Sequence, residues 1–196
     1  VLDNLHKNID ISIIEISSFQ LELLKEIEFE IGLLLNIEED HIDRHFNFEN
    51  YKKIKYSVLK NSSFNISFDS NNLFQKDFRN YKNINLPLDL FESKIFKKWP
   101  VHDIENLKAS LAVIDCYCEN FTNLSLADFN VTKELESAFD EFLKPPHRFE
   151  FLGNINGINF INDSKATNID ATLKAIQSAN EIKNNGDIHL ICGGDL

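Results

Sequence analysis

Three stretches of this chain gather side chains that could do chemistry. Glu15 sits inside the apolar run Asp10-Ile-Ser-Ile-Ile-Glu-Ile16, where an ionised carboxylate is costly unless it is paired or bound to a cation. The alternative is that strand alternation simply turns it to solvent. Residues 36–45, Asn-Ile-Glu-Glu-Asp-His-Ile-Asp-Arg-His, crowd carboxylates, two histidines and an arginine just past a second apolar run. His41 and His45 have the spacing of a zinc-protease pair, but Ile42 stands where that motif requires Glu, so zinc hydrolysis is disfavoured. An active-site loop is the better reading of this cluster, with a solvated helix cap as the alternative. The third stretch, residues 158–168, is a short apolar strand that ends in Asn-Asp-Ser-Lys-Ala-Thr-Asn. Asp163, Ser164, Lys165 and Thr167 there offer a carboxylate, a cation and two hydroxyls beside the free N–H groups of a helix start, a set suited to a polyanion. A solvated turn with a good N-cap explains the same residues.

For these groups to meet, strands must carry them to a common edge. Strand and helix signals alternate along the chain, which predicts an α/β fold. The spacing predicts a buried strand over Asp10–Ile16, then a helix from Ser17 to about Ile27 with Ser17 and Gln20 as a capping box. A strand over Phe29–Ile37, a helix over Phe48–Lys60 and a strand over Ser63–Phe68 follow. Residues 69–98 read as irregular. Asp103–Glu119 is a helix with Leu107, Leu111 and Ile114 on one apolar face, and Thr132–Leu143 is another. Pro145-Pro146 ends it, because proline supplies no N–H and pushes its predecessor out of the helical region; this is the domain boundary. Beyond it, Asn156-Gly157 predicts a type I′ hairpin. Thr167 and Asp170 predict a capped helix carrying Leu173, Ile176 and Ala179, and Ile188–Cys192 a final strand. Both Glu15 and His41 then fall near carboxyl ends of apolar strands, which parallel pairing brings to one sheet edge. A Glu and a His in oxygen-rich surroundings suit Mg²⁺ or Mn²⁺.

Composition excludes several function classes. The 196 residues, 43% hydrophobic, suffice for one domain and part of another. A net charge of -11 argues against nucleic acid or an anionic membrane as partner, so an anionic ligand depends on a few well-placed cations. No run of about 18 apolar residues and no basic-then-apolar leader is visible, so no membrane span is expected. Cys116, Cys118 and Cys192 fit neither a metal pair nor a redox motif and read as reduced thiols of a cytoplasmic protein. The chain contains no Met and breaks off at Gly193-Gly194-Asp195-Leu196, so an interior piece of a longer protein is expected.

Five segments in order then carry a resemblance: Glu15-Ile-Ser-Ser-Phe-Gln-Leu-Glu22, Asn36-Ile-Glu-Glu-Asp-His-Ile-Asp-Arg-His45, Asn50-Tyr-x-x-x-Lys55, Pro146-His-Arg-Phe-Glu150 and Ile161-Asn-Asp-Ser-Lys-Ala-Thr-Asn168. Together they resemble the Mur ligases of bacterial peptidoglycan synthesis. The wording of the first and last segments resembles the D-glutamate-adding branch. The resemblance covers nearly the whole chain except residues 69–98. It implies a three-domain cytoplasmic enzyme, monomeric, with no nucleic-acid or membrane partner. Residues 1–145 would be part of the central ATPase-type domain, a mostly parallel sheet flanked by helices. Residues 146–196 would open a Rossmann-like α/β C-terminal domain. The implied reaction uses ATP to phosphorylate the L-alanyl carboxylate of UDP-N-acetylmuramoyl-L-alanine, after which the amine of D-glutamate displaces phosphate to form an amide.

The same resemblance implies roles for particular residues. Glu15 and His41 would bind Mg²⁺ (or Mn²⁺) together with Lys55 as a carbamate, whose two oxygens can ligate a cation as an ammonium cannot. Asn106 would touch adenine, Arg148 the nucleotide and Asp163 the ribose hydroxyls. Lys165 would sit by the phosphates or the incoming amino acid, with Thr167 and Ser164 positioning D-glutamate. Lys55, His41 and Lys165 would be catalytic, and His41 would also contact substrate. Read without the family, Lys55 is a surface lysine among Lys52, Lys53 and Lys60, Asn106 a first-turn polar residue and Arg148 a hinge ion-pair partner. The chain departs from the family pattern in four places. Asp103 stands where His-Asn-x-x-Asn has its first Asn, Trp99-Pro100-Val101 replaces a glycine before His102, and Lys144-Pro145 replaces Gly-Leu. No Gly-x-x-Gly-Lys-Thr/Ser phosphate loop occurs in the 196 residues. The resemblance places that loop and a uridine-nucleotide domain upstream of Val1, and a further lysine past Leu196, so these residues alone are expected to be inactive. A sister Mur ligase, a folylpolyglutamate synthase or a non-catalytic remnant are the competing readings.

Overall fold

Two short strands lie side by side and run the same way, so the chain between them must cross over, and a helix makes that crossing. The computed structural model describes residues 10–67, 101–125 and 144–193, except 25 and 184, together with 128, 133, 134 and 138. In chain order the elements are α1 (Ser18–Leu23), β1 (Phe29–Leu34), α2 (Ile42–His45), α3 (Phe48–Lys60), β2 (Ser62–Ser67), α4 (Val101–Phe121), β3 (Glu150–Ile155), β4 (Ile158–Asn162) and α5 (Ile169–Ile182). β1 and β2 pair in parallel, with Phe29 opposite Ser62, Ile31 opposite Phe64 and Leu33 opposite Ile66.

Alternation along β1 sorts its side chains between two helices. Leu34 and the following Ile37 pack with Tyr51, Tyr56 and Leu59 of α3, whereas Ile31 and Leu33 join Phe64, Ile66, Ala112, Val113 and Cys116 on the α4 side. The pair of strands is thus the middle layer of an α/β arrangement, as a period-2 strand with two apolar faces requires. α3 follows its expected bounds, and its N-cap Asn47 accepts a hydrogen bond from the Asn50 N–H at 2.8 Å. β3 and β4 form the hairpin that Asn156-Gly157 predicts, with both turn residues at positive φ (53° and 85°) as a type I′ turn demands.

Several expectations are corrected. Residues 10–16 are not a buried strand: no ladder partner exists for them among the described residues, and Ile13 is 95% exposed. Residues 188–192 likewise form no strand, and Ile191 is 95% exposed. Both have the apolar composition of central strands, but a strand is made by its neighbours, and neither described sheet supplies one. The helix begun by Ser17 stops at Leu23, since Leu24 turns extended, and β1 ends at Leu34 rather than Ile37. Thr167 is not the cap of α5. Asn168 is, in extended geometry and accepting from the Ala171 N–H at 2.9 Å, consistent with Asn ranking above Thr as an N-cap. The helix expected over residues 132–143 and the irregular stretch 69–98 lie outside the described residues, apart from 133, 134 and 138.

Candidate active-site cleft

Glu15, Ile16, Ser17, Ser18, Gln20, His41, Tyr51 and Lys55 line an open cleft of ≈ 320 Å³. Its first wall is the entry to α1. The capping box of Ser17 and Gln20 ties that wall together: Ser17 N donates to Gln20 Oε1 at 2.8 Å, and Gln20 N donates to Ser17 Oγ at 3.3 Å. Glu15 is carried just ahead of this box, and the exposed Ile13 and Ile14 precede it. The second wall is the loop after β1. There His41 takes left-handed backbone angles (φ 52°, ψ 35°), a conformation that costs a non-glycine residue roughly 1–2 kcal/mol. Local hydrogen bonds hold it: Asp40 Oδ1 accepts from His41 N at 2.9 Å, and the His41 carbonyl accepts from the N–H groups of Arg44 and His45. The imidazole lies tilted at 58° to the Phe19 ring, 5.0 Å between centroids, and meets Tyr51 edge-on at 6.4 Å.

α3 forms the floor. Tyr51 and Lys55 are four residues apart, one helical turn, and so face the cleft together. Burial pushes the Lys55 amine below its ordinary range, while the carboxylates of Glu15 and Asp40 pull it back up; burial is the larger effect. The Tyr51 phenol is raised, chiefly by burial and then by Asp40. The cleft is therefore a place where an amine is held partly dry beside two carboxylates.

Behind the walls lies a buried polar cluster. The His45 side chain is fully buried; its Nε2 is 2.9 Å from Ser18 Oγ and its Nδ1 3.3 Å from Glu22 Oε1. The second contact has the distance of an ion pair but not the alignment of a hydrogen bond. Glu22 also receives Arg44 Nη2 at 2.6 Å. His45 is thus an internal brace joining α1 to α2, not a second metal ligand facing His41.

The structure brings Glu15, His41 and Lys55 together. The remaining expected residues lie elsewhere. Asp163, Ser164, Lys165 and Thr167 share the loop between β4 and α5. Asp163 is half-buried, its Oδ1 accepting from Phe149 N at 3.0 Å, while Ser164, Lys165 and Thr167 are exposed. This loop reaches the cleft's rim through one bond, Asn168 Nδ2 to Asp40 Oδ2 at 3.3 Å. Asn106 is exposed on α4 and Arg148 is exposed on the segment after the prolines; neither lines the cleft. Tyr51, Ser17, Gln20 and Asp40 were not singled out by residue type. The signals for them were the Ser17–Gln20 capping-box spacing, the carboxylate cluster that holds Asp40 and the one-turn spacing of Tyr51 and Lys55.

A family model described as Mur ligase middle domain matches residues 1–113, and one described as Mur ligase, glutamate ligase domain, matches residues 147–196. UDP-N-acetylmuramoylalanine--D-glutamate ligase of Francisella philomiragia subsp. philomiragia is 31% identical over 201 residues, covering 98% of this chain and 44% of the relative. The protein of the same name from Francisella tularensis subsp. tularensis is 32% identical over 200 residues, with the same coverage of 98% and 44%. The chain therefore spans less than half the length of these relatives. With the middle-domain model matching residues 1–113 of its 196, and with an α/β layer that carries Glu15, His41 and Lys55 to one cleft, this chain belongs to the Mur ligase family.

Proposed function

We propose that this chain is part of the central domain and the start of the C-terminal domain of an ATP-dependent amide ligase that adds D-glutamate to UDP-N-acetylmuramoyl-L-alanine in bacterial peptidoglycan synthesis. The observation that carries this reading is the convergence of Glu15, His41 and Lys55 on one cleft. The names of the relatives support D-glutamate as the amino acid joined.

In the proposed reaction an oxygen of the L-alanyl carboxylate attacks the terminal phosphorus of ATP, and the bond to the bridging oxygen breaks to release ADP. The amine of D-glutamate then attacks the acyl carbon, phosphate leaves and the amine loses a proton. Such chemistry needs alignment of two substrates and neutralisation of phosphate charge. Among the described residues no three His, Cys, Asp or Glu side chains are grouped to hold a metal ion, so Glu15 and His41 need a further donor. Lys55 fits that need, because burial shifts its amine towards the neutral form, which adds carbon dioxide and loses a proton to become a carbamate. Glu15, His41 and carbamylated Lys55 would hold Mg²⁺ or Mn²⁺, which when bound neutralises charge on the transferring phosphoryl group. Ser164 and Thr167 would orient D-glutamate, Lys165 would face the phosphates or the amino acid, and Asp163, Arg148 and Asn106 would serve the nucleotide. The division of the chain near Pro145-Pro146 into residues 1–145 and 146–196 belongs to the same proposal, with the 163–168 loop moving against the cleft.

The test is turnover by the whole gene product carrying these residues. Given ATP, UDP-N-acetylmuramoyl-L-alanine and D-glutamate, it is expected to release phosphate, and Lys55→Ala to lower that rate on the order of a hundredfold or more. Phosphate release with another amino acid but not with D-glutamate would assign a sister ligase. Release with none would leave the non-catalytic reading standing.

A further inference from the structure

The first turn of α4 touches the later part of the chain through two adjacent side chains. Asp103 Oδ2 is 2.6 Å from Lys144 Nζ, and its other oxygen is 3.3 Å from His102 Nε2. The opposite ring nitrogen of His102, Nδ1, is 3.3 Å from Ser178 Oγ. Phe149 closes the cluster, its ring meeting His102 edge-on at 6.2 Å and lying 5.7 Å from the Lys144 ammonium. Ser178 is the one buried residue of α5. The order carboxylate, imidazole, hydroxyl is that of a nucleophile triad, but Ser178 lies buried mid-helix, out of reach of a substrate carbonyl. The series acts as a tether.

Topology shows what it tethers. His102 and Asp103 belong to the helix packed on β1 and β2, Lys144 immediately precedes Pro145-Pro146, and Phe149 and Ser178 follow the prolines. Asp103 and the Phe149 ring each touch both arms. His147 and Phe149 hold positive φ (66° and 48°), a strained backbone that persists only where its surroundings over-determine it. Asp103 and Lys144 are 41 residues apart along the chain and partners only in space.

We propose that Asp103 is a positioning residue, the centre of a Lys144–Asp103–His102–Ser178 latch that keeps the 163–168 loop in register with the Asp40 rim, where Asn168 is bonded. The latch stands on these contacts whether or not the cleft joins D-glutamate. Its test is the distance between spin labels at Lys53→Cys and Asn180→Cys, exposed sites on α3 and α5, in the full chain with the exposed Cys192 replaced by Ser. The parent is expected to give one narrow distance. Lys144→Ala should shift the population out of that peak by about threefold, and Asp103→Ala, which loses the ion pair and the carboxylate beside His102, by about tenfold. Adding Lys144→Ala to Asp103→Ala should change nothing more, because the partner is already gone. Asp103→Asn, isosteric and able to fold as the parent does, keeps one acceptor oxygen and should fall between, with melting temperature unchanged. A broad distribution in the parent, an unshifted peak in Asp103→Asn, or additive effects of the two alanine changes would overturn the latch.

Discussion

Lys55 is held between opposing influences: burial favours its neutral amine, and the carboxylates of Glu15 and Asp40 favour the ammonium. Because burial is the larger, the folded chain releases this proton at lower pH than the unfolded chain, whose lysine has the ordinary value of 10.5. Between those two values the unfolded state holds more protons, so this group's contribution to stability rises with pH through that window. Tyr51 works the other way. Its phenol is raised above 10.0, so the unfolded state loses that proton first, and stability falls as pH climbs past 10.0 towards the folded value. The geometry also fixes the sign of a substitution. Glu15→Gln removes one of the two charges that raise Lys55, so the amine should titrate lower still. Labelling with a lysine-acylating reagent across a pH series, read by peptide mass and referred to the denatured chain, measures this directly. An upward or absent shift in Glu15→Gln would mean that the Glu15 carboxylate does not face the amine.

Gly32 marks a tight junction between elements. A Cβ at this position would lie 2.8 Å from Ser62 Cβ and 3.0 Å from the Val58 carbonyl, so β1, β2 and the end of α3 can close together only over a bare backbone. Gly32→Ala is expected to destabilise the chain by about 1–3 kcal/mol through overpacking, seen as a lower urea midpoint with an unchanged slope. Gly32→Ala with Ser62→Gly should recover part of that loss, and a midpoint equal to the parent's in Gly32→Ala alone would refute the close approach. Features of this kind mark the limit of what sequence can disclose. The α3 bounds, the Asn156-Gly157 hairpin and the Ser17–Gln20 capping box were readable because each depends on residues within one turn of one another. Residues 10–16 and 188–192 were misread because apolar runs describe a strand's faces and say nothing of its ladder partners. Thr167 lost its expected role to an adjacent, better cap. In the cleft, Glu15 and His41 stand out by residue type and by their place near the ends of apolar runs, and Lys55 only through the resemblance, since nothing in their spacing shows that they converge. Asp103 and Lys144, 41 residues apart, could only be paired in space.

The molecule as a whole is unevenly stabilised. Both clusters of buried apolar residues lie between Leu34 and Cys116, on the two faces of β1 and β2. Beyond Pro145-Pro146 no described hydrophobic residue is buried: Phe151, Leu152, Ile155 and Ile158 of the hairpin are each about 60% exposed, and the buried residue of α5 is a serine. Ordering a residue costs roughly 1–2 kcal/mol of backbone entropy, and apolar burial is the main force that offsets it. The described residues of 144–193 bury apolar side chains only in part, Phe149, Ile161 and Ile176 among them. Among the described residues, the contacts that tie them to the layer include Lys144 to Asp103, Ser178 to His102, Asn168 to Asp40 and the Phe149 ring against His102. Expressed alone, residues 144–193 are therefore expected to show no cooperative thermal transition by far-UV circular dichroism. In the intact chain the β3 and β4 amides should exchange hydrogen far faster than those of β1 and β2. Substituting Asp103 or Asn168 should speed that exchange further while leaving β1 and β2 protected, because those contacts hold the hairpin and helix to the layer without being part of its core. A cooperative melt in the isolated segment, or equal protection in the two sheets, would show that the later part of the chain carries a core of its own.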